Sequence, residues 1–159
     1  MRRTASPGGS ALPAPRTPAT RCATVGIDVL RERRARLADL CQRYPPTIAV
    51  PQLDREHLSL EVAGKRFGYF LYQHFGDDGR SGAVLKAAPG VQEMLVEHDP
   101  DRFWVPAFVG RHGWIGIRLD LEAPDWDEVA MFLGEAWQMT APRQLREQYR
   151  QAGNANRRA

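Results

Sequence analysis

The side chains that could perform covalent or metal chemistry are few and scattered in this 159-residue sequence. The histidines are His57, His74, His98 and His112. They include no H-x-x-x-H pair, and the only cysteines, Cys22 and Cys41, lack partners at the spacing of a zinc site. The glycine-rich phosphate and dinucleotide patterns are absent, and Gly79 to Gly82 lacks the spacing of a nucleophile elbow. We therefore expect no catalytic residue, no metal site and no cofactor.

Basic residues beside aromatic ones could instead contact a polyanion, because Lys and Arg bind phosphate and aromatic rings stack on bases. Lys86 and Arg118 lie opposite the apolar positions of two predicted strands, so both should point away from the core. Trp114 shares the face of Arg118 by the same spacing. The candidate set is Lys65, Arg66, Lys86, Arg111, His112, Trp114 and Arg118.

Each candidate also has a structural interpretation. Lys86 and Arg118 could belong to a solvated face or pair with Glu61 or Asp120. Trp114 could pack beneath a loop or helix. A second basic group, Arg31, Arg33, Arg34 and Arg36, cannot face one side of a helix and is typical of a solvated surface, although it could tether DNA electrostatically.

The elements that would position these residues are indicated by the period of the apolar positions. Ile27 to Tyr44 has helical spacing and ends at Pro45. The predicted strands are His57 to Val62, Phe67 to Phe75, Ala83 to Ala88 and Trp114 to Leu121, with Gly64 and Lys65 forming a tight turn. In the last strand Ile115, Ile117, Leu119 and Leu121 should form core.

Three further helices are predicted. One follows Pro89-Gly90 and ends near Asp99. The next is capped by Asp125, with Glu128 completing a capping box. A basic helix then starts near Pro142 and runs to about Gln151. We predict an α+β, two-layer sandwich with an antiparallel sheet of about four or more strands and helices on one face.

Charge is distributed unevenly along the chain, whose net charge is +3. Residues 1–36 carry +6, residues 142–159 carry +4 and the middle carries −7. We predict a disordered basic Pro/Ala-rich arm over 1–26, one domain over 27–151 and a frayed basic tail over 152–159. A mis-assigned start codon or a transit peptide are the alternatives for the arm. The acidic middle counts against a broad phosphate-binding face.

The apolar stretches are too short to cross a bilayer; Phe103 to Val109 is one of the longest. Neither cysteine belongs to a C-x-x-C pair, so both are expected to be free thiols in a reducing compartment. These features favour a cytoplasmic protein that does not enter a membrane.

Five stretches carry a resemblance to a known family: Gly64 to Phe67, Val84 to Ala87, Phe103 to Gly110, His112 to Asp120, and Trp126 to Val129 together with Ala136-Trp137. In these the chain, from Ala63 to Leu145, resembles the MmcQ/YjbR family. The resemblance implies a fold similar to CyaY-type frataxins and secretion chaperones. It also implies weak binding of double-stranded DNA, mainly through the backbone and without catalysis.

Two other functions stay open. An acidic body and four Trp residues permit a protein-interaction module or a homodimer, if adjacent Trp rings are exposed. Acids also crowd the junction before the third helix, namely Asp120, Glu122, Asp125, Asp127 and Glu128, and frataxin-like folds can bind iron through acidic ridges. Helix capping explains most of these acids without a metal.

Overall fold

A six-stranded antiparallel sheet forms the centre of the computed structural model, which describes residues 24–52 and 56–159. The strands are β1 (Thr47–Pro51), β2 (Leu58–Val62), β3 (Lys65–Leu71), β4 (Gly82–Leu85), β5 (Phe103–Trp104) and β6 (Ile115–Arg118). The helices are α1 (Ile27–Cys41), α2 (Val91–His98), α3 (Trp126–Thr140) and α4 (Arg143–Arg157). The sheet order is β1-β2-β3-β4-β6-β5. The predicted α+β class is confirmed.

The main core lies between one face of the sheet and helices α1 and α3. The alternation predicted for the last strand is confirmed for Ile115, Ile117 and Leu119, which are all buried in this core. The strand is shorter than predicted, since β6 ends at Arg118, and Leu121 is buried outside this core. Trp137 of α3 is fully buried against the same face. Cys41 also lies in this core, where burial raises the pKa of its thiol to about 12, so the thiol stays protonated at neutral pH.

The tight turn between β2 and β3 lies one residue earlier than predicted, at Ala63 and Gly64. Ala63 and Gly64 both have positive φ (49° and 75°), the conformation of a two-residue hairpin turn. Lys65, which we predicted in this turn, is instead the first residue of β3, and Arg66 is the second. Since neighbouring residues of a strand point to opposite faces, the two cations diverge. Lys65 stands opposite Val62, a core residue, whereas Arg66 stands opposite Glu61.

Two strands were not predicted. β1 lies between prolines, with Pro45-Pro46 before it and Pro51 at its end, and proline is depleted in strands. As an edge strand of the described sheet β1 tolerates Pro51, because among the described strands only β2 pairs with it. β5 has only two residues, too few for any period to show.

The helix ends agree with prediction in part. The Asp125 carboxylate accepts hydrogen bonds from the backbone N–H groups of Asp127 and Glu128, both at 3.1 Å, as an N-cap should. Glu128 does not close a capping box, because its carboxylate binds Arg102 at 3.2 Å. α4 continues to Arg157, beyond Gln151 and into the segment expected to fray.

Residues 1–23 lie outside the described residues, so the arm stays a prediction there. Near the start of the described residues, the Val25 N–H donates to the Asp120 carbonyl at 2.8 Å. Within the described part of the chain, no helix is long and apolar enough to cross a membrane.

Candidate nucleic-acid interface

The face of the sheet turned away from α1 and α3 carries most of the predicted site. Register places Tyr69 of β3 beside Val84 of β4 and Val84 beside Gly116 of β6. Lys86 follows Val84 by two residues, and Trp114 and Arg118 flank Gly116 by two residues on either side. The period of two therefore brings Lys86, Trp114 and Arg118 to one face, as the sequence predicted.

Trp114 lies in the middle of this face and is only 9% exposed. Its ring centroid is 5.7 Å from that of Tyr69, and it packs in a small second core with Trp104 and Val84. The Lys86 ammonium lies 5.8 Å from the Trp114 ring centroid, within the range of a cation–π contact. Trp114 therefore supports Lys86 and offers little ring surface to a base.

Arg118 is held by a carboxylate. Its guanidinium makes two hydrogen bonds to Asp120, at 2.9 and 3.0 Å, and Asp120 is 3% exposed. Such a two-point contact is among the stronger ion pairs in proteins. The pairing that we considered as an alternative for Arg118 is thus present, and its charge is largely neutralised.

Arg66 is also paired with a carboxylate. Its guanidinium lies 3.4 Å from Glu61, which in turn accepts a hydrogen bond from Ser59 at 3.0 Å. Hydrogen bonding to Tyr69, and then to Glu61, raises the pKa of Arg66 above its ordinary value. Because Arg66 is exposed, a phosphate could still displace Glu61.

Arg111 and His112 lie on a 3₁₀ turn (Gly110–His112) within the 105–114 segment. Both are exposed, and Arg111 Nε is 3.3 Å from His112 Nε2. The turn is fixed by Gln92 of α2, which is 7% exposed and donates to the carbonyls of Gly110 (2.8 Å) and Trp114 (2.5 Å). Gln92 was not among the predicted site residues, since a glutamine on a short helix ordinarily faces solvent.

The basic group of α1 is used by the fold and is not simply solvated. Arg31 and Arg34 both bind Glu56, at 2.8 and 3.1 Å. Arg36 lies 4.4 Å above the ring of Trp126. Arg33 donates to the carbonyls of Leu119, Leu121 and Glu122, and burial lowers its pKa below the ordinary value. A sequence shows four arginines but not the carbonyls and carboxylates that the fold brings to them.

The basic residues of α4 are placed differently. Arg143, Arg146, Arg150 and Arg157 are exposed, and only Arg150 has a carboxylate within 4.0 Å among the described residues, namely Glu147. In the sequence these arginines contribute to the net charge of +4 over residues 142–159, and none of them was predicted to belong to a site. Their spacing of three, four and seven residues was the signal that could have identified them.

The acids at the start of α3 have structural partners. Asp120 binds Arg118, Asp125 caps the helix, and Glu128 binds Arg102. In residues 24–52 and 56–159 no group of three His, Cys, Asp or Glu side chains is arranged to hold a metal ion.

A family model described as YjbR matches residues 33–139 of this chain. The matched range includes all six strands and ends before α4. No curated protein and no solved structure matches the chain.

Proposed function

The chain belongs to the YjbR family, and from that premise we propose that it is a cytoplasmic protein that binds double-stranded DNA weakly, mainly through the phosphate backbone. The proposal includes no catalysis and no cofactor. The similarity of its fold to those of frataxins and secretion chaperones stays a prediction from the sequence.

The observation that supports a site on the sheet is that two basic side chains lack an acidic partner among the described residues. Among the described residues, neither Lys86 nor Arg111 has a carboxylate within 4.0 Å. Lys86 lies on the side of the sheet that α1 and α3 leave uncovered, and Arg111 lies on the 3₁₀ turn three residues before Trp114, which belongs to that face. A cation that the fold does not neutralise is available to a phosphate, which makes these two residues the strongest members of the predicted set.

The same geometry supports weak binding through the backbone. Trp114 is buried, so base stacking contributes little, and Arg118 is paired with a carboxylate. The remaining contacts are a few charges on a body with an acidic middle segment. Contacts of this kind neutralise phosphates without reading bases, and their affinity falls steeply with salt.

The test is fluorescence anisotropy of a labelled duplex of about 20 base pairs with the full chain, between about 50 and 200 mM salt. We expect the double variant Lys86→Ala with Arg111→Ala to reduce the slope of log K against log salt by about 2, since each phosphate contact contributes about 0.9. Lys65→Ala is the matched control, because Lys65 is an exposed lysine on the other side of its strand. Its slope should equal that of the unmodified chain.

Two results would contradict the proposal at different levels. If the full chain fails to bind duplex at the lowest salt, DNA binding is wrong. If it binds but the double variant and Lys65→Ala have equal slopes, the sheet face is not the site.

A protein-interaction module or small homodimer is the second candidate function. Exposed Trp pairs do not support it, because Trp104, Trp114 and Trp137 are all buried. Two phenylalanines do: Phe75 is 81% exposed and Phe108 is 68% exposed, on loops joined by a 2.7 Å hydrogen bond from Ala107 N–H to Asp77. Phe108 also has φ of +65°, a strained conformation for a bulky residue.

Light scattering on the same samples separates this candidate from DNA binding. The interaction module would be favoured if the chain does not bind duplex but forms a dimer, and if the Phe108→Ser variant is monomeric.

A further inference from the structure

The arginines of α4 form a single stripe. Successive residues of an α-helix are rotated by about 100°, so positions 143, 146, 150 and 157 fall within a sector of about 60°. At about 1.5 Å per residue the stripe is about 21 Å long. All four side chains are exposed. Four cations along one side of a helix form a linear array of positive charge, whereas the same cations distributed around the helix would not.

α4 is held to the domain by another part of its circumference. Leu145 and Tyr149 pack against the main core, at positions centred about 110° around the helix from the stripe. The Tyr149 ring lies 5.0 Å from that of Tyr44 and 5.3 Å from that of Trp137. This aromatic cluster fixes the rotation of α4 and so keeps the arginines turned outward.

The stripe has almost no neutralising partner. Only Arg150 contacts a carboxylate, Glu147, in the part of the chain that the structure describes. Arg43, in the turn after α1, lines the same groove as Arg150 and Arg157 and adds to the charge. The first turn of α4 contains no acid, although acids stabilise that end of a helix and cations oppose its dipole. The sequence therefore places Arg143 and Arg146 where they weaken the helix, which is a common sign of a ligand-binding role.

We propose that this stripe is a phosphate-binding surface for double-stranded DNA, separate from the sheet face; the proposal rests on the DNA-binding function proposed above. Guanidinium groups bind phosphate oxygens through paired hydrogen bonds. A duplex presents one negative charge per about 1.7 Å of its axis, and its major groove, about 12 Å wide, admits a helix. The array on α4 is linear and opposite in sign to such a polyanion, so its four guanidinium groups can contact successive phosphates along the duplex.

The composition of the helix favours nucleic acid over a membrane surface. Residues 151–157 are exposed on all sides and contain Gln, Ala, Gly, Asn and Arg but no large apolar residue. A helix that binds at a bilayer surface needs an apolar face to insert beside its basic one. Arginine, asparagine and glutamine are instead the residues that contact phosphates and base edges.

The test compares two full-length variants of equal net charge. In the first, Arg143, Arg146, Arg150 and Arg157 are all changed to Gln. In the second, the four arginines of the N-terminal segment, Arg2, Arg3, Arg16 and Arg21, are changed to Gln, which removes the same four charges and leaves every acid in place. Both are measured on the labelled duplex across the salt series.

We expect the α4 variant to reduce the slope of log K against log salt by about 3 to 4, at about 0.9 for each lost phosphate contact. The N-terminal variant should reduce it by less than half as much. A third variant, with Lys at the four α4 positions, should restore most of the slope, because it restores the charge. Glutamine retains good helix propensity, and circular dichroism should show unchanged helix content.

Equal losses in the two Gln variants would overturn the inference, because total charge and not this surface would then determine binding. An unchanged slope in the α4 variant, with binding retained, would also overturn it while leaving the proposed function intact. If the full chain does not bind duplex at all, the function fails first. Stronger binding to vesicles of anionic lipid than to duplex would replace nucleic acid with a membrane as the ligand.

Discussion

Helices α1 and α4 carry similar groups of arginines in opposite circumstances. In α1 the side chains of Arg31, Arg33 and Arg34 bind carboxylates or carbonyls, and Arg36 lies on the Trp126 ring. In α4, Arg143, Arg146 and Arg157 have no carboxylate within 4.0 Å among the described residues. The difference teaches that the number of basic residues does not separate arginines that stabilise the fold from arginines that are available to a ligand, whereas the partners of each arginine do.

Arg33 shows why α1 needs its charge. After β6 the chain turns toward α3, and the Arg33 guanidinium donates to the carbonyls of residues 119, 121 and 122 in this turn. One guanidinium supplies donors to all three. A buried acceptor without a donor is costly, so Arg33 is expected to be a structural residue.

The largest predicted effect is therefore on the α1 side of the comparison. Arg33→Ala should lower the free energy of unfolding by about 2 to 3 kcal/mol, since hydrogen bonds from a charged donor contribute about 1.5 to 3 kcal/mol and three carbonyls would lose theirs. Urea unfolding followed by Trp fluorescence measures this.

Arg146→Ala is the matched control from α4. As an exposed side chain without a partner, it should change stability by no more than about 0.5 kcal/mol. Equal losses in Arg33→Ala and Arg146→Ala would remove the distinction between the two helices.

The sequence predicted the fold better than the partners of its side chains. The alternation of apolar and polar residues predicted that Ile115, Ile117 and Leu119 face the core. The position of Asp125 before an apolar helical pattern predicted the cap of α3. Both signals are local in the sequence. β1 and β5 were missed, since their pairing depends on residues distant in the chain. The sheet position of Lys86 and Arg118 followed from period two. The Arg118 pair with Asp120 stayed an open alternative, and Gln92 was missed because its partners come from another element.

A smaller effect is expected from the ion pairs of Glu56. Hydrogen bonding to Arg31, and its charge, lower the pKa of Glu56 below its ordinary value, with a further contribution from Arg34. A carboxylate whose pKa is lower in the folded state stabilises the fold above the unfolded pKa of about 4.3. That stabilisation is lost as the pH falls through the folded pKa. Glu56→Gln should therefore lose less stability than the unmodified chain between neutral and acidic pH.

Thermal unfolding between about pH 7 and pH 3 tests this. Glu32→Gln is the control, because Glu32 is an exposed carboxylate of α1 without an ion pair among the described residues. It should keep the pH dependence of the unmodified chain. If Glu56→Gln also keeps the pH dependence of the unmodified chain, the ion pairs of Glu56 with Arg31 and Arg34 do not stabilise the fold. These two arginines of α1 would then not differ from those of α4.

The smallest effect, and the one of opposite sign, belongs to α4. Arg143 and Arg146 lie in the first turn and just beyond it, where a positive charge opposes the helix dipole. Changing both to Gln should raise the free energy of unfolding by about 0.3 to 1 kcal/mol at low salt, and the gain should shrink as salt screens the charges. Changing Arg157 to Gln, at the other end of α4, should not stabilise the chain, because cations favour that end. Urea unfolding at two salt concentrations compares both variants with the unmodified chain. If the first-turn change lowers stability instead, these arginines contribute to the fold as those of α1 do, and the argument that α4 holds them for a ligand fails.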